Sequence, residues 1–382
     1  MFLEKQNIEM KNKYKLMLRD LGSLSNIFSD SDVPYLAYRA TENIFCEAFN
    51  ADNLSRSDCS ADAAKDGIGF GIKTFLEGNG NTMQKVAEFN RDSSLYKNIA
   101  TPKEMIEKVA ELRNERISST KRIHGLNSLI YHYITRSSGK IRVFECDMDE
   151  VNIKSINITK VSESSIHFTD KINEYSFNIS KSTLFKRFKS INLLLEFEVE
   201  IIKDPYTLLS ELMASRKEKE RVEGQKIIIE TKKEKEYIYL PLFSEKGGRH
   251  VPLKSGLNQW NASGRKRNSD EVYIPVPSLI KNKFSGFFPK RDTAFELILP
   301  DGKQITAKIC QSGDKALMSN PNTDLGEWLL RQVMNLKEEE LLTYDMLRKM
   351  DIDSVIIYKE KKGRYSINFK EVGAYDSFID NI

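Results

Sequence analysis

The chain has 382 residues, 59 Lys+Arg against 55 Asp+Glu, a formal net charge of +4 and four cysteines; its mean hydropathy is -0.47. At about 100–200 residues per domain the length predicts two or three domains, and 40% hydrophobic with 30% charged residues gives each an ordinary core. No apolar run approaches the roughly 18 residues of a membrane span, and the opening MFLEKQNIEMKNKYK is charged where a signal peptide is apolar. Cys46, Cys59, Cys146 and Cys310 form no CxxC pair and no metal spacing with histidine, which argues against a disulfide framework or a structural zinc site. The expectation is a soluble, cytoplasmic, multidomain protein whose small net charge selects no partner.

In chain order, a charged helical segment runs to about Phe28, and Pro34 opens a second helix, YLAYRATENIFCEAF. Small and polar residues then lead into the alternating run Ile68, Phe70, Ile72, Phe75, which reads as a two-stranded hairpin. Gly78-Asn79-Gly80-Asn81 is a turn, and residues 82–89 read as a helix capped by Thr82. Residues 101–135 read as two further helices, with His124 and His132 on apolar helical faces. A β-rich stretch follows from Lys140 to Ile202. The densely charged run Glu211–Glu236 reads as a solvated helix and linker, and beyond Tyr237 strands predominate around the helices LGEWLLRQVMNL and TYDMLRKM. The predicted organisation is an α/β (α+β) domain over 1–203, a charged helix or linker over 204–236, and a mainly-β domain over 237–382.

The most distinctive segment is LNQWNASGRKRNSDEVYIPVP, residues 257–277. Its loop gathers Asn258, Gln259, Trp260, Asn261, Arg265, Lys266 and Arg267. Arginine reads guanine O6 and N7, amides read adenine, and cations neutralise phosphate, so this is the chemistry of a base-reading loop, although a solvated turn has a similar composition. A second loop, CQSGDKALMSNPNTDLGEWLL, offers Lys315, Ser319, Asn320 and Asn322 between a strand and a helix. Two such loops on one small β-domain suggest the arms of a clamp. Together NQWNASGRKR, DEVYIPVP, FFPKRDTAFELILPDGK and KALMSNP resemble the C-terminal DNA-recognition domain of type II restriction endonucleases of the NgoFVII and BfiI kind, over about residues 240–380. The resemblance implies a B-three-like β-pseudobarrel that grips double-stranded DNA in the major groove. Its first arm falls on Asn258–Asn268 and its second on Gln311–Asn322.

Many relatives of that domain carry a phospholipase-D-like nuclease marked by HxK. None of His124, His132, His167 and His250 has lysine two residues on, so that mechanism is not expected. The N-terminal half offers carboxylates and a lysine instead: Asp62 before the hairpin, Lys73 in its second strand and Glu88 beyond. Divalent-metal hydrolysis of a phosphodiester needs carboxylates to hold the ion and a cation near the scissile phosphate. The order of elements resembles the PD-(D/E)xK nuclease core, with one departure: the acidic position two before Lys73 is Gly71. The resemblance implies Glu88 as substitute ligand from the following helix, with Gln84 one turn earlier in support and Glu47 as an outer acid. Asp58 competes with Asp62 for the metal, Arg56 reads as a phosphate contact or as the partner of a nearby acid, and Glu145 with Asp147 forms a rival acidic pair.

Each of these residues also has an ordinary structural reading: Lys73 on a solvated strand face, Glu88 and Glu47 as exposed helical residues, Trp328 in a core. Trp260, isolated among polar groups, does not read as core. The resulting expectation is a type II restriction endonuclease with Asp62 and Glu88 holding Mg2+. A possible homodimer on DNA and a cognate DNA methyltransferase as genetic partner belong to the same expectation. The alternative is a non-catalytic DNA-binding regulator or effector protein.

Overall fold

The computed structural model describes all residues except 55–58 and 224–234, and only the backbone of 216–223. Arg56 and Asp58 therefore lie outside the described residues. The chain divides into two compact units, one of residues 1–120 and 127–229 and the other of residues 121–126 and 230–382.

The first unit opens with helices α1 (Phe2–Lys5), α2 (Ile8–Ser23) and α3 (Tyr38–Phe49). Strands β1 (Asp52–Asn53), β2 (Ala63–Lys65), β3 (Ile68–Leu76) and β4 (Asn81–Glu88) follow, then the long helix α4 (Pro102–His124). Next come β5 (Ser128–Ser137), β6 (Lys140–Asp147), β7 (Asn157–Val161), β8 (Ser165–Thr169), β9 (Glu174–Asn178), β10 (Thr183–Lys189), β11 (Leu195–Glu198) and helix α5 (Pro205–Glu223). A six-stranded sheet runs β1-β2-β3-β5-β6-β11 and a five-stranded one β4-β10-β9-β8-β7. The hairpin β2–β3 is antiparallel, whereas β3 and β5 pair in parallel over nine positions, the crossover between them carrying α4.

Strand periodicity decides which way the chemistry points. Phe70 and Ile72 of β3 face the core under α2 and α3 with Phe45, Phe49, Ile134 and Val143. Gly71, Lys73 and Phe75 therefore face the opposite side, where Phe75 meets Phe188 and stacks on Tyr133. Helix α4 lays Ile106, Val109 and Ala110 against Phe168 and Phe177 of the second sheet.

Two helical expectations fail here. Residues 81–88 are strand β4, paired antiparallel with β10 across a bulge, so Gln84 and Glu88 lie on a strand and not on a helix. Met, Gln, Lys, Ala and Glu favour a helix locally by tenths of a kcal/mol, and ladder pairing with side-chain burial against β10 outweighs that. The second miss is residues 128–137: Gly125, at φ +61°, ends α4 in the left-handed region. The aromatic and β-branched SLIYHYITRS then continues as β5, so His132 is a core residue of a strand.

The second unit consists of β12 (Tyr237–Pro241), β13 (Ile274–Pro275), α6 (Ser278–Lys283), β14 (Phe295–Ile298), β15 (Gln304–Cys310) and β16 (Ala316–Ser319). After them come α7 (Asp324–Gly326), which continues as a π-helical segment to Val333, then α8 (Tyr344–Lys349), β17 (Ser354–Lys361), β18 (Arg364–Lys370) and α9 (Ala374–Asp380). Seven strands run β12-β17-β18-β14-β15-β16-β13, and the edge strands β12 and β13 approach each other. The sheet is thus curled into a half-barrel. Alternating residues such as Leu297, Ile305, Ala307, Ile357 and Ile367 fill its interior with Trp328, Leu329 and Leu330, so Trp328 is core as its spacing implies.

Candidate active site and DNA-binding loops

Asp62 is held by the sheet on both sides of its backbone: its N–H donates to Phe70 O at 2.7 Å and its carbonyl accepts from Leu54 N at 2.9 Å. Its Oδ2 accepts the Ile72 amide at 2.7 Å and lies 3.8 Å from Lys73 Nζ, with both side chains partly exposed. Burial pushes the Asp62 carboxyl above the ordinary range, and Lys73, the Ile72 amide and Arg39 pull against that shift. The pair is therefore an acid and a cation held close together on one sheet face.

They open into a cleft of about 450 Å³ lined by residues of β3, β4 and α4. Among the described residues, Lys73, Lys85, Arg91, Arg113 and Arg116 face two carboxylates there, Asp62 and Glu88. Such a cationic excess between low-dielectric walls attracts an anionic ligand. Arg113 is 4% exposed; it donates to Ser60 Oγ at 2.8 Å and to Tyr131 Oη at 2.7 Å. Arg116 donates to the Glu88 carbonyl at 2.6 Å and to Asp92 Oδ2 at 2.9 Å. Glu88 is exposed and pairs with Lys85 at 3.0 Å; that hydrogen bond and charge hold its carboxyl below the ordinary range. Gln84 is not among the residues lining this cleft.

Helix α3 corrects another expectation. Glu47 is exposed and pairs with Lys13 at 2.8 Å, whereas Glu42, five residues earlier and about 140° around the helix, is 5% exposed. Arg39 donates to Glu42 at 2.8 Å. Burial, then Asp52, Glu42 and Asp62, push the Cys46 thiol up to about 11, which places both Glu42 and Asp62 in its surroundings. Glu42 is thus a buried acid on the apolar side of an amphipathic helix, paired with Arg39 and not among the residues that line the cleft.

Gly71 occupies the position two before Lys73, where a side chain would crowd its neighbours. A Cβ there would lie 2.6 Å from Met148 Cε and 3.0 Å from Tyr131 Cδ1. Among the described residues no three His, Cys, Asp or Glu side chains group as a metal cage. Asp62 and Glu88 are the carboxylates that line the cleft among the described residues, and magnesium retains several waters and is commonly held by one or two carboxylates.

The rival pair, Glu145 and Asp147, divides. Glu145 is fully buried opposite His132. It accepts the Phe2 and Leu3 amides at 2.7 and 3.1 Å and bonds His132 Nδ1 at 3.0 Å. His132 Nε2 reaches Tyr14 Oη at 2.8 Å. Burial first, and then Glu145, push the Tyr14 phenol well above its ordinary value. Glu145 thus ties α1 and α2 to the sheet.

In the second unit the first loop is built around a buried carboxylate that its composition conceals. Glu271, 2% exposed, accepts Gln259 Nε2 at 2.9 Å and ion-pairs with Arg265 and, at 3.7 Å, with Arg267. Arg267 also donates to Ala262 O at 2.7 Å, and Asn261 to Leu253 O at 3.0 Å. Lys266 is exposed. Asn258 is corrected as a base reader: it is completely buried, donating to Leu342 O at 2.9 Å and accepting Leu342 N at 3.0 Å. Trp260 packs its ring partly buried against the unit's core, contrary to expectation. Ser319 is buried too and accepts the Leu325 amide at 2.9 Å, while Lys315, Asn320 and Asn322 are exposed.

Residues 230–361 match the family of the NgoFVII C-terminal B3-like DNA-binding domain. The match lies within the second unit, which resembles a DNA-binding domain of a kind associated with restriction enzymes, and it supports DNA as a partner. No curated protein matches the chain. Among the described residues no helix is long and apolar enough to cross a membrane.

Proposed function

We propose that the chain is a magnesium-dependent type II restriction endonuclease: the first unit hydrolyses phosphodiester bonds of double-stranded DNA and the second selects the sequence. The observation that carries this reading is the Asp62–Lys73 pair at the floor of a cationic cleft, in a chain that also bears a restriction-type DNA-binding domain. The antiparallel β2–β3 hairpin, the crossover through α4 and the parallel strand β5 support a PD-(D/E)xK-like core.

In this mechanism Lys85, Arg91 and Arg116 neutralise backbone phosphates and bring one into the cleft, while the buried Arg113 adds positive charge to its wall. Lys73 donates to a non-bridging oxygen of the scissile phosphate and offsets charge that builds there during attack. Asp62 would hold the magnesium ion together with Glu88; the bound metal would supply Lewis-acid polarisation and a water of lowered pKa. The Ile72 amide fixes the Asp62 carboxylate so that one oxygen faces the cleft. Cutting both strands calls for a homodimer on DNA or for successive nicks, and a cognate DNA methyltransferase would protect the host.

Supercoiled plasmid carrying many sequences, incubated with and without magnesium, tests the reading. Cleavage that requires the metal, and that falls at least 100-fold in Lys73→Ala while DNA binding persists, is the expected result. A chain that binds a defined sequence and never cuts it would instead be a regulator or effector.

A further inference from the structure

We propose that Glu271 is the positioning residue of sequence recognition: it buttresses Arg265 so that one edge of the guanidinium is presented to a single base of the DNA site. This rests on the assignment of the second unit as a DNA-binding domain and goes beyond it to the residue that orders its loop.

One oxygen of Glu271, Oε1, meets Gln259 Nε2, Arg265 NH2 and Arg267 Nε. The carboxylate is 2% exposed, whereas the Arg265 side chain is 61% exposed and that of Arg267 only 17%. Arg267 NH1 donates to carbonyls of the loop itself, to Ala262 O at 2.7 Å above all, so it helps to latch the loop shut. Arg265 has its NH2 engaged by Glu271 and projects the remainder to solvent. A bidentate contact to guanine O6 and N7 needs a guanidinium held in plane. A free arginine loses rotamer entropy on forming that contact, and a buttressed one has already lost it.

The base of the loop is equally fixed. Arg331 Nε donates to Asp270 Oδ1 at 2.6 Å and its NH2 to Ser269 O at 3.0 Å. The backbone at Gly326 packs so closely on Asp270 that a Cβ would lie 1.9 Å from its carbonyl oxygen. The buttress thus stands on a rigid footing supplied by the helix that follows the second loop.

The test uses full-length chains in metal-free buffer. Wild type, Glu271→Gln, Arg265→Ala and Arg265→Lys are each used to select from a pool of randomised duplexes and are titrated against one duplex of arbitrary sequence. Glu271→Gln removes an anion, so affinity for the arbitrary duplex should rise about 3-fold, while preference at one position of the selected sequence relaxes. Arg265→Ala should relax the same position but bind the arbitrary duplex more weakly. Arg265→Lys should relax it with arbitrary-duplex affinity retained, since lysine keeps the charge and loses the planar edge. Because Arg265 is exposed, its variants carry the test even where Glu271→Gln folds poorly. Unchanged selection in all variants, or relaxation of different positions by the Glu271 and Arg265 changes, overturns the proposal. A wild-type chain that binds no duplex refutes the DNA-binding assignment itself.

Discussion

Glu145 offers the sharpest separation of scaffold from chemistry. Truncation by Glu145→Ala orphans the Phe2 and Leu3 amides and removes the partner of His132 Nδ1, all within a fully buried pocket. Orphaned buried donors cost about 1–3 kcal/mol each, and breaking a buried charge-assisted network about 3–5 kcal/mol in total. For a unit of this size 1 kcal/mol shifts the melting temperature by roughly 2–4 °C, so the first transition should fall by about 10 °C. Glu145→Gln keeps one oxygen acceptor and should lose less than half as much. Differential scanning calorimetry of the full chain measures both, and plasmid cleavage well below the lower transition measures activity. Scaffold behaviour means that Glu145→Gln still cuts. The reasoning is refuted if Glu145→Ala melts within about 2 °C of the parent, and the rival catalytic assignment gains if Glu145→Gln is inactive at unchanged stability.

Burial raises the Asp62 carboxyl, so the folded state holds its proton more tightly than the unfolded chain does. That stability is fully present below the unfolded value near about 3.9 and is lost as pH rises through the higher folded value. Asp62→Asn should therefore match or exceed the parent's melting temperature at neutral pH, converge with it on acidification, and abolish cleavage; a lower neutral melting temperature would contradict this. Asn258→Ala should cost the second unit about 2–3 kcal/mol in urea unfolding, with the selected DNA sequence unchanged. Gly71→Ala should cost about 1–3 kcal/mol through the close approach to Met148 and Tyr131, and Met148→Ala in the same chain should recover part of that.

Lys73 and Asp62 were legible because strand alternation and the hairpin turn are local signals, and both side chains emerge on one cleft. Glu88 reached the cleft by a route that composition hid, since its segment's helical preference yields to pairing with β10, a strand about a hundred residues away in sequence. The first polar loop of the second unit was legible as a loop but not in its division of labour. Asn258 and Arg265 look equally polar in a sequence, and only burial separates the residue that ties the loop to Leu342 from the one that faces solvent. Glu271, lying in DEVYIPVP beside the cationic run, carried no mark of its own beyond being an acid near arginines.

Strands β3 and β4 follow one another across the short turn Glu77–Gly80, yet they belong to different sheets. The floor of the cleft, with Lys73, and its lip, with Glu88, are therefore joined like the two leaves of a hinge whose pin is that turn, with Asn79 and Gly80 both at positive φ. Strand β4 is laddered to β10, and Ser190 N donates to Gly80 O at 2.9 Å. A change in the length of that pin would therefore shift Lys85 and Glu88 relative to Lys73, so the turn, which carries none of these groups, sets the width of the cleft between them.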